Sequence, residues 1–263
     1  MKPIGIFDSG IGGLTVAKAI AIRLPHVPLI YFGDTAHLPY GERSPELIRH
    51  YASRISHHLR DQGCRIMVVA CNSVSSNALH AVQDALGPKI PAIDVIAPVI
   101  QEVIQRFPGG RIGVIGTRAT IESGRYQEAL NGHGCEVTAM ATPLLASAIE
   151  EGFHEGSVSD ALLEAYLGKG TFDEVDALIL GCTHYPLIAS QIRTFLPDHV
   201  AVIDSSIVVA NSVAEAMSEM EEEKSGKAIQ RFLVSDLTPS FSMGAQRFFG
   251  SEVHLEESPL WDF

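Results

Sequence analysis

Two apolar runs in this chain end in cysteine, and they do so at matching places in a longer repeat. One reads Ile66-Met67-Val68-Val69-Ala70-Cys71 and continues into Asn72-Ser73. The other reads Ala177-Leu178-Ile179-Leu180-Gly181-Cys182 and continues into Thr183-His184. Short continuous apolar runs bounded by polar residues fit strands buried on both faces of a parallel sheet. The spacing recurs elsewhere. Ile4-Gly5-Ile6-Phe7 is echoed 108 positions on by Ile112-Gly113-Val114-Ile115, Cys71 by Cys182 at 111, and Asp94 by Asp204 at 110. Three landmarks in one order at nearly one offset imply an internal duplication: two similar α/β halves, each presenting one thiol just past a strand.

The elements between the landmarks alternate. Strands are expected at 4–7, 29–32, 66–70 and 92–96, with helices at 13–23, 44–62, 75–85 and 97–106. The second half repeats this with strands at 111–115, 136–140, 176–180 and 200–204. Its helices are expected near 120–130, 143–150, 158–167 and 186–195. Such alternation indicates parallel sheets with right-handed crossovers. Beyond the repeat lie a helix over 207–222, a short strand at 231–235, a helix near 241–249 and a tail.

At 263 residues with 46% hydrophobic side chains, the chain can hold one large domain or two of about 100–150 residues each, with enough apolar side chain for real cores. No stretch reaches the roughly 18–20 apolar residues that span a bilayer. Met1-Lys2-Pro3 leads straight into a strand with no signal-like segment, so a cytoplasmic protein is expected. A formal net charge of −12 argues against a nucleic-acid surface, where phosphates must be neutralised. Part of that acid is the run Glu219-Met220-Glu221-Glu222-Glu223, read as a solvated helix end.

The chemistry must lie at the carboxyl ends of the strands, where open α/β sheets take ligands. A thiol at a strand end that opens a helix has the positive helix terminus behind it, which is expected to lower its pKa and favour thiolate. Asn72-Ser73 and Thr183-His184 fit helix N-cap positions and can donate to a ligand carboxylate. Cys64 and Cys135 each follow a glycine at a strand entrance and read as inert. Phe7-Asp8-Ser9-Gly10-Ile11-Gly12-Gly13-Leu14-Thr15 runs from a strand through a glycine-rich turn into a helix. It lacks the third glycine of a dinucleotide fingerprint, Thr15 standing there, so it suits close approach to a small anion. Asp8 at that strand tip can cap the turn, accept from an ammonium group or orient a thiol.

His184 lies beside Cys182 and can tune its protonation. Glu150-Glu151 closes an expected helix, either as a solvated end or as a functional carboxylate. No lysine among the six, at 2, 18, 89, 169, 224 and 227, stands at a strand end suited to a pyridoxal Schiff base. No histidine spacing suggests a metal site, so neither cofactor nor metal is expected. Two thiols facing each other across a cleft would suit moving a proton from one face of a carbon to the other.

Four motifs carry a family resemblance. Phe7-Asp8-Ser9-Gly10-x-Gly12-Gly13-Leu14-Thr15, Gly33-Asp34-Thr35-Ala36-x-x-Pro39-Tyr40-Gly41, Ala70-Cys71-Asn72-Ser73 and Gly181-Cys182-Thr183-His184-Tyr185-Pro186-Leu187 are similar to those of the glutamate racemases, in order and spacing, from residue 4 to about 206. The resemblance implies two α/β domains with the active site in the cleft between them. The C-terminal segment would return to the first, giving 1–96 plus 207–263 and 97–206. It implies Cys71 and Cys182 as paired acid/base thiols, Cys71 acting on D-glutamate and Cys182 on L-glutamate. Asp8, His184 and Glu150 would be their helpers. Ser9, Tyr40, Gly41, Asn72, Ser73 and Thr183, with Asp8 and His184, would touch substrate.

It further implies a cofactor-independent racemase supplying D-glutamate to peptidoglycan. A homodimer is compatible with the sequence, which does not fix the oligomeric state. Two residues depart from the family pattern: Ser73 stands where threonine is usual and His37 where arginine is common. Aspartate as substrate, or a non-catalytic binding protein closing on a small acid, are the rival readings of the same residues.

Overall fold

The computed structural model describes residues 1–220, 228–250 and 253–261. The described residues form ten strands: β1 (Ile4–Asp8), β2 (Leu29–Gly33), β3 (Ile66–Val69), β4 (Ala92–Asp94), β5 (Arg111–Gly116), β6 (Glu136–Ala141), β7 (Ala177–Gly181), β8 (Ala201–Ile203), β9 (Gln230–Val234) and β10 (Leu255–Glu257). They make two sheets. The first has the order β10-β9-β2-β1-β3-β4, the second β6-β5-β7-β8. Every ladder is parallel. Read as β2-β1-β3-β4 against β6-β5-β7-β8, the sheets match strand for strand, the duplicated architecture that the 108–111 offset predicts. Ile4, Ile6, Phe7 and Val68 are fully buried, as are Val114, Ile179 and Leu180, because helices cover both faces of each sheet.

Among the described residues, twelve α-helices connect and cover the strands: α1 (Leu14–Arg23), α2 (Pro45–Asp61), α3 (Asn72–Asn77), α4 (Leu79–Leu86), α5 (Ala97–Arg106), α6 (Arg118–Glu122), α7 (Arg125–Gly132), α8 (Pro143–Glu150), α9 (Ser157–Leu167), α10 (Ala189–Thr194), α11 (Ser205–Ser218) and α12 (Pro239–Phe249). The start of α2 shows how sequence sets the boundary. The Ser44 side chain accepts from Leu47 N, Pro45 opens the first turn, and Glu46 sits at the positive end. From there Ile48, Ala52, Ile55 and Leu59 recur at helical spacing and are buried against Phe7, Phe32, Met67 and Val69.

The opposite face of the first sheet belongs to a larger core that continues without a break into the second sheet. Helix α11 lies at that junction, against α1 and α5. Burying Val209, Val213 and Met217 there is worth about 1.5–3 kcal/mol each.

Several boundaries differ from the sequence reading. The helix expected at 75–85 is two, because Ala78 leaves helical geometry at φ −138° and ψ 10°. The one expected at 120–130 breaks at Gly124, whose φ of +72° suits glycine. The segment 186–195 is a 3-10 turn (Tyr185–Ile188) followed by the short α10. The helix placed at 207–222 starts earlier and ends at Ser218. Glu219 is its exposed C-cap, while positions 221–223 of the acidic run lie outside the described residues. The segment read as a tail contributes β10, which pairs with β9. No helix among the described residues is long and apolar enough to cross a membrane.

Candidate active site

The two sheets turn their carboxyl edges toward one cleft. Cys71 follows β3 by two residues and Cys182 follows β7 directly, and both thiols line that cleft. Asp8 and Ser9 reach it from the end of β1, and Tyr40 and Gly41 from a 3-10 turn (Tyr40–Glu42) beyond β2. Asn72 and Ser73 come from the first turn of α3, Thr183 and His184 from the loop after β7, and Glu150 from the last residue of α8. All eleven side chains and backbone positions singled out in the sequence therefore meet in one place. The free space is about 30 Å³, room for one or two waters. A larger groove of about 440 Å³, bordered by Gly41, Arg43 and Arg118, adjoins it and is spanned by the 3.4 Å Glu42–Arg118 ion pair.

Hydrogen bonds and contacts tie the halves together around the cleft. Thr15 Oγ1 donates to the Thr183 carbonyl at 2.9 Å, and the Ser73 and Thr117 hydroxyls are 3.0 Å apart. The Arg125 guanidinium of α7 pairs with Asp94 at 3.0 Å and donates to the Ser75 carbonyl. Gly41 packs on Thr117, where an added Cβ would lie 2.8 Å from the threonine methyl.

The Cys182 side carries a linear relay. Cys182 Sγ is 3.4 Å from His184 Nδ1, and His184 Nε2 is 2.7 Å from Glu150 Oε1. Burial alone would lower the His184 pKa. Charge and hydrogen bonding from Cys182 and Glu150 outweigh it and hold the imidazole well above its ordinary value. The arrangement stores a positive charge beside the thiol.

The Cys71 side is built differently. Cys71 is itself the N-cap residue of α3, with Asn72 and Ser73 in the first turn rather than capping it. Its thiol donates to Ser9 Oγ at 3.7 Å. The expected lowering of this thiol by the helix terminus is overturned. Burial and the nearby Asp8 charge raise its pKa, and bonds from the Val74 and Ser9 backbone offset only part of that. Asp8 Oδ2 accepts from Gly13 N at 2.9 Å and Gly10 N at 3.3 Å, so it caps the glycine turn as well as facing the cleft. Burial raises the Asp8 pKa too, against the lowering influence of His184 and the Gly13, Gly10 and Ser9 amides. Because Asp8 negative charge works against Cys71 thiolate, protonating Asp8 favours the thiolate.

Asn72 is set up for an acceptor. Tyr126 of α7 donates to its Oδ1 at 3.0 Å, which fixes the amide, and its Nδ2 is buried with no acceptor. An anionic ligand group would satisfy it. Cys64 and Cys135 lie away from the cleft. Burial pushes the Cys64 thiol up to about 12, and Cys135 makes a long 3.8 Å contact to the Phe107 carbonyl. Of the two departures from the family pattern, Ser73 keeps its hydroxyl on Thr117. His37 lies outside the cleft, with Nδ1 3.1 Å from Asp34 Oδ2 and its ring stacked on Tyr51 at 4.3 Å. No group of three His, Cys, Asp or Glu side chains among the described residues is placed to hold a metal ion.

Thr117 and Tyr126 were not identified in the sequence. Thr117 could have been, because it stands 108 positions after Ser9, at the same place past β5 that Ser9 holds past β1. Tyr126 carries no such mark.

A sequence model of the Asp/Glu/hydantoin racemase family matches residues 14–213. The chain is 47% identical over 212 residues to the glutamate racemase of Aquifex aeolicus, covering 81% of this chain and 82% of that one. It is 40% identical over 256 residues to the glutamate racemase of Chlorobaculum tepidum, covering 96% and 94%. The crystal structure of the Francisella tularensis glutamate racemase in complex with D-glutamate superimposes with a TM-score of 0.92 at 35% identity, over 98% of both chains.

Proposed function

This chain belongs to the Asp/Glu/hydantoin racemase family, on the glutamate racemase side of it, and we propose that it interconverts L- and D-glutamate with two cysteines and no cofactor. It is an isomerase of that family. The observation that carries the reading is that Cys71 and Cys182, at equivalent strand ends of two matching sheets, line one cleft. The two jaws are taken as residues 1–96 with 207–263 and residues 97–206.

Cys182 as thiolate removes the α-proton of L-glutamate, and Cys71 as thiol protonates the opposite face. The roles exchange for D-glutamate. His184, held by Glu150, stabilises the Cys182 thiolate as an ion pair. Asp8 sets the balance of charge at Cys71, and its coupling to His184 links the two sides. The α-proton is barely acidic in water, so the carbanion must be met by preplaced donors in a closed cleft. Asn72 Nδ2, the Ser9, Ser73, Thr117 and Thr183 hydroxyls and the Gly41 backbone would supply them to the two carboxylates. D-glutamate made in the cytoplasm would feed peptidoglycan synthesis.

Isotope labelling tests the reading. Starting from unlabelled L-glutamate in D₂O, D-glutamate formed at low conversion should carry deuterium at Cα while the remaining L-glutamate stays unlabelled. Early D-glutamate that keeps its original proton would exclude two facing thiols, and faster turnover of aspartate would move the assignment to that substrate.

A further inference from the structure

Asp34 takes no part in the chemistry above, yet it is fully buried and accepts from every side. It follows β2 on the carboxyl edge. Its Oδ2 accepts from the Tyr40 hydroxyl at 2.5 Å and lies 3.1 Å from His37 Nδ1. Its Oδ1 accepts from Ser235 Oγ at 2.7 Å and from the Trp261 indole Nε1 at 2.7 Å. A carboxylate offers about four lone-pair directions, and this one has four side-chain partners, His37 and Tyr40 close by in the chain and Ser235 and Trp261 from two distant stretches. With all four used, its orientation is fully specified.

Trp261 reaches Asp34 from the segment after β10, which is itself fastened down. Ser258 N donates to the Val234 carbonyl at 2.8 Å, and Arg54 donates to the Leu260 carbonyl at 3.0 Å. The Arg54 guanidinium also lies 5.1 Å from the indole centroid, while Tyr51 at 5.3 Å and His37 at 4.6 Å meet the indole edge to face. At the other end of the chain of contacts, Tyr40 is fully buried in the wall of the cleft, directly before Gly41. Burial and the Asp34 charge keep its phenol protonated, so it remains a donor to that carboxylate.

We propose that Asp34 and Trp261 are positioning residues for substrate binding: the Trp261 indole fixes the carboxylate that holds the Tyr40 hydroxyl, so the segment after β10 sets the Tyr40-Gly41 wall of the pocket. The inference rests on the glutamate racemase reading and extends it to residues outside the cleft. Because two of the partners, Ser235 and Trp261, come from just past β9 and from the segment after β10, the part of the chain beyond the duplicated halves gains a task in the site. Substrate binding and the docking of Trp261 then stabilise each other, as linkage requires of any two coupled contacts.

Trp261 is the single tryptophan of the chain, so its emission reports this contact alone. In the wild-type enzyme, saturating D-glutamate should lower the acrylamide quenching constant of that emission by about twofold. An unchanged constant overturns the proposal. Trp261→Phe keeps an aromatic ring and removes the N–H donor, and should raise KM for glutamate about fivefold with kcat within about twofold. In a Tyr40→Phe background the same substitution should add no further rise in KM, because the link it acts through is already cut. A residue that only packs would lower the melting temperature and the folded fraction, leave KM alone, and add independently to Tyr40→Phe; that pattern overturns the proposal. A wild-type enzyme that fails to racemise glutamate would remove the underlying reading and this inference with it. Normal turnover with an unmoved KM in Trp261→Phe removes this inference alone.

Discussion

Gly12 lies against the His184 imidazole so closely that a Cβ placed on it would meet Cε1 at 2.3 Å and Nδ1 at 2.5 Å. The two residues belong to different halves, one from the glycine turn after β1 and the other from the loop after β7. Here glycine is required by contact and not by backbone angle. The glycine turn of the first half is therefore a floor for the relay of the second, and the ring cannot retreat because it already spans Cys182 and Glu150.

Gly12→Ala should therefore damage catalysis more than folding. A displacement of the imidazole by about 1 Å is enough to lower kcat by about a hundredfold. Steady-state kinetics beside a thermal melt would check this, and a Gly12→Ala enzyme with parental kcat would show that the ring has room to move.

The thiols should separate cleanly by role. Cys71→Ala and Cys182→Ala are each expected to abolish racemisation with the fold intact, since either removes one obligatory proton carrier. Cys64, packed 2.9 Å from where a Gly5 Cβ would stand, should tolerate alanine with activity within about twofold. Its loss of stability would be about 1 kcal/mol from the small cavity left behind. Circular dichroism of glutamate solutions during turnover reads all three.

Asp8 should show a trade between stability and function. Burial places its folded pKa above the unfolded 3.8, so the folded state binds the proton more tightly. Its contribution to stability is then fully present below the unfolded pKa and declines as pH rises through the folded one. Asp8→Asn removes that decline, and the amide oxygen can still accept from Gly10 and Gly13. The variant should melt higher than the parent at neutral pH, with the gap closing toward about pH 4, while losing activity by about tenfold or more. Melting curves across pH decide it; a gap that widens on acidification would contradict the sign.

Glu150→Gln should move a titration. Glu150 and Cys182 together hold the His184 pKa well above the ordinary value against burial, which acts to lower it. With the carboxylate neutralised, the imidazolium loses its proton at lower pH. The alkaline limb of kcat/KM should shift to lower pH, and kcat should fall by about ten- to a hundredfold. An alkaline limb that stays in place would detach Glu150 from the relay.

The parts legible in the sequence share one property: they are written locally and repeated. Strands such as Ile66–Val69 and Ala177–Gly181 announce themselves as apolar runs with polar ends, and duplication writes the same order twice. Asp8, Cys71 and Cys182 inherit their placement directly, because a residue past a parallel strand has only one edge to occupy. Breaks inside helices were less visible. Ala78 is a good helix former that leaves helical geometry where α3 turns into α4, a demand of packing that propensity does not record. Strand β10, three residues long, is too short for its alternation to stand out, and β9 provides the ladder that makes it a strand.

By itself, then, the sequence determined two matching parallel sheets and the strand ends at which two thiols and their neighbours stand. Tertiary structure alone decided which distant polar groups meet there. Glu150 and His184 are 34 positions apart, Asn72 and Tyr126 are 54, and Asp34 and Trp261 are 227. Also decided by packing is that burial raises the Cys71 thiol where a helix terminus alone would lower it. The reason is physical. Apolar periodicity is a property of neighbours along the chain, so it survives in the sequence. A single hydrogen bond or a desolvated charge depends on how two sheets and a returning segment are set against each other, and no local pattern encodes that distance.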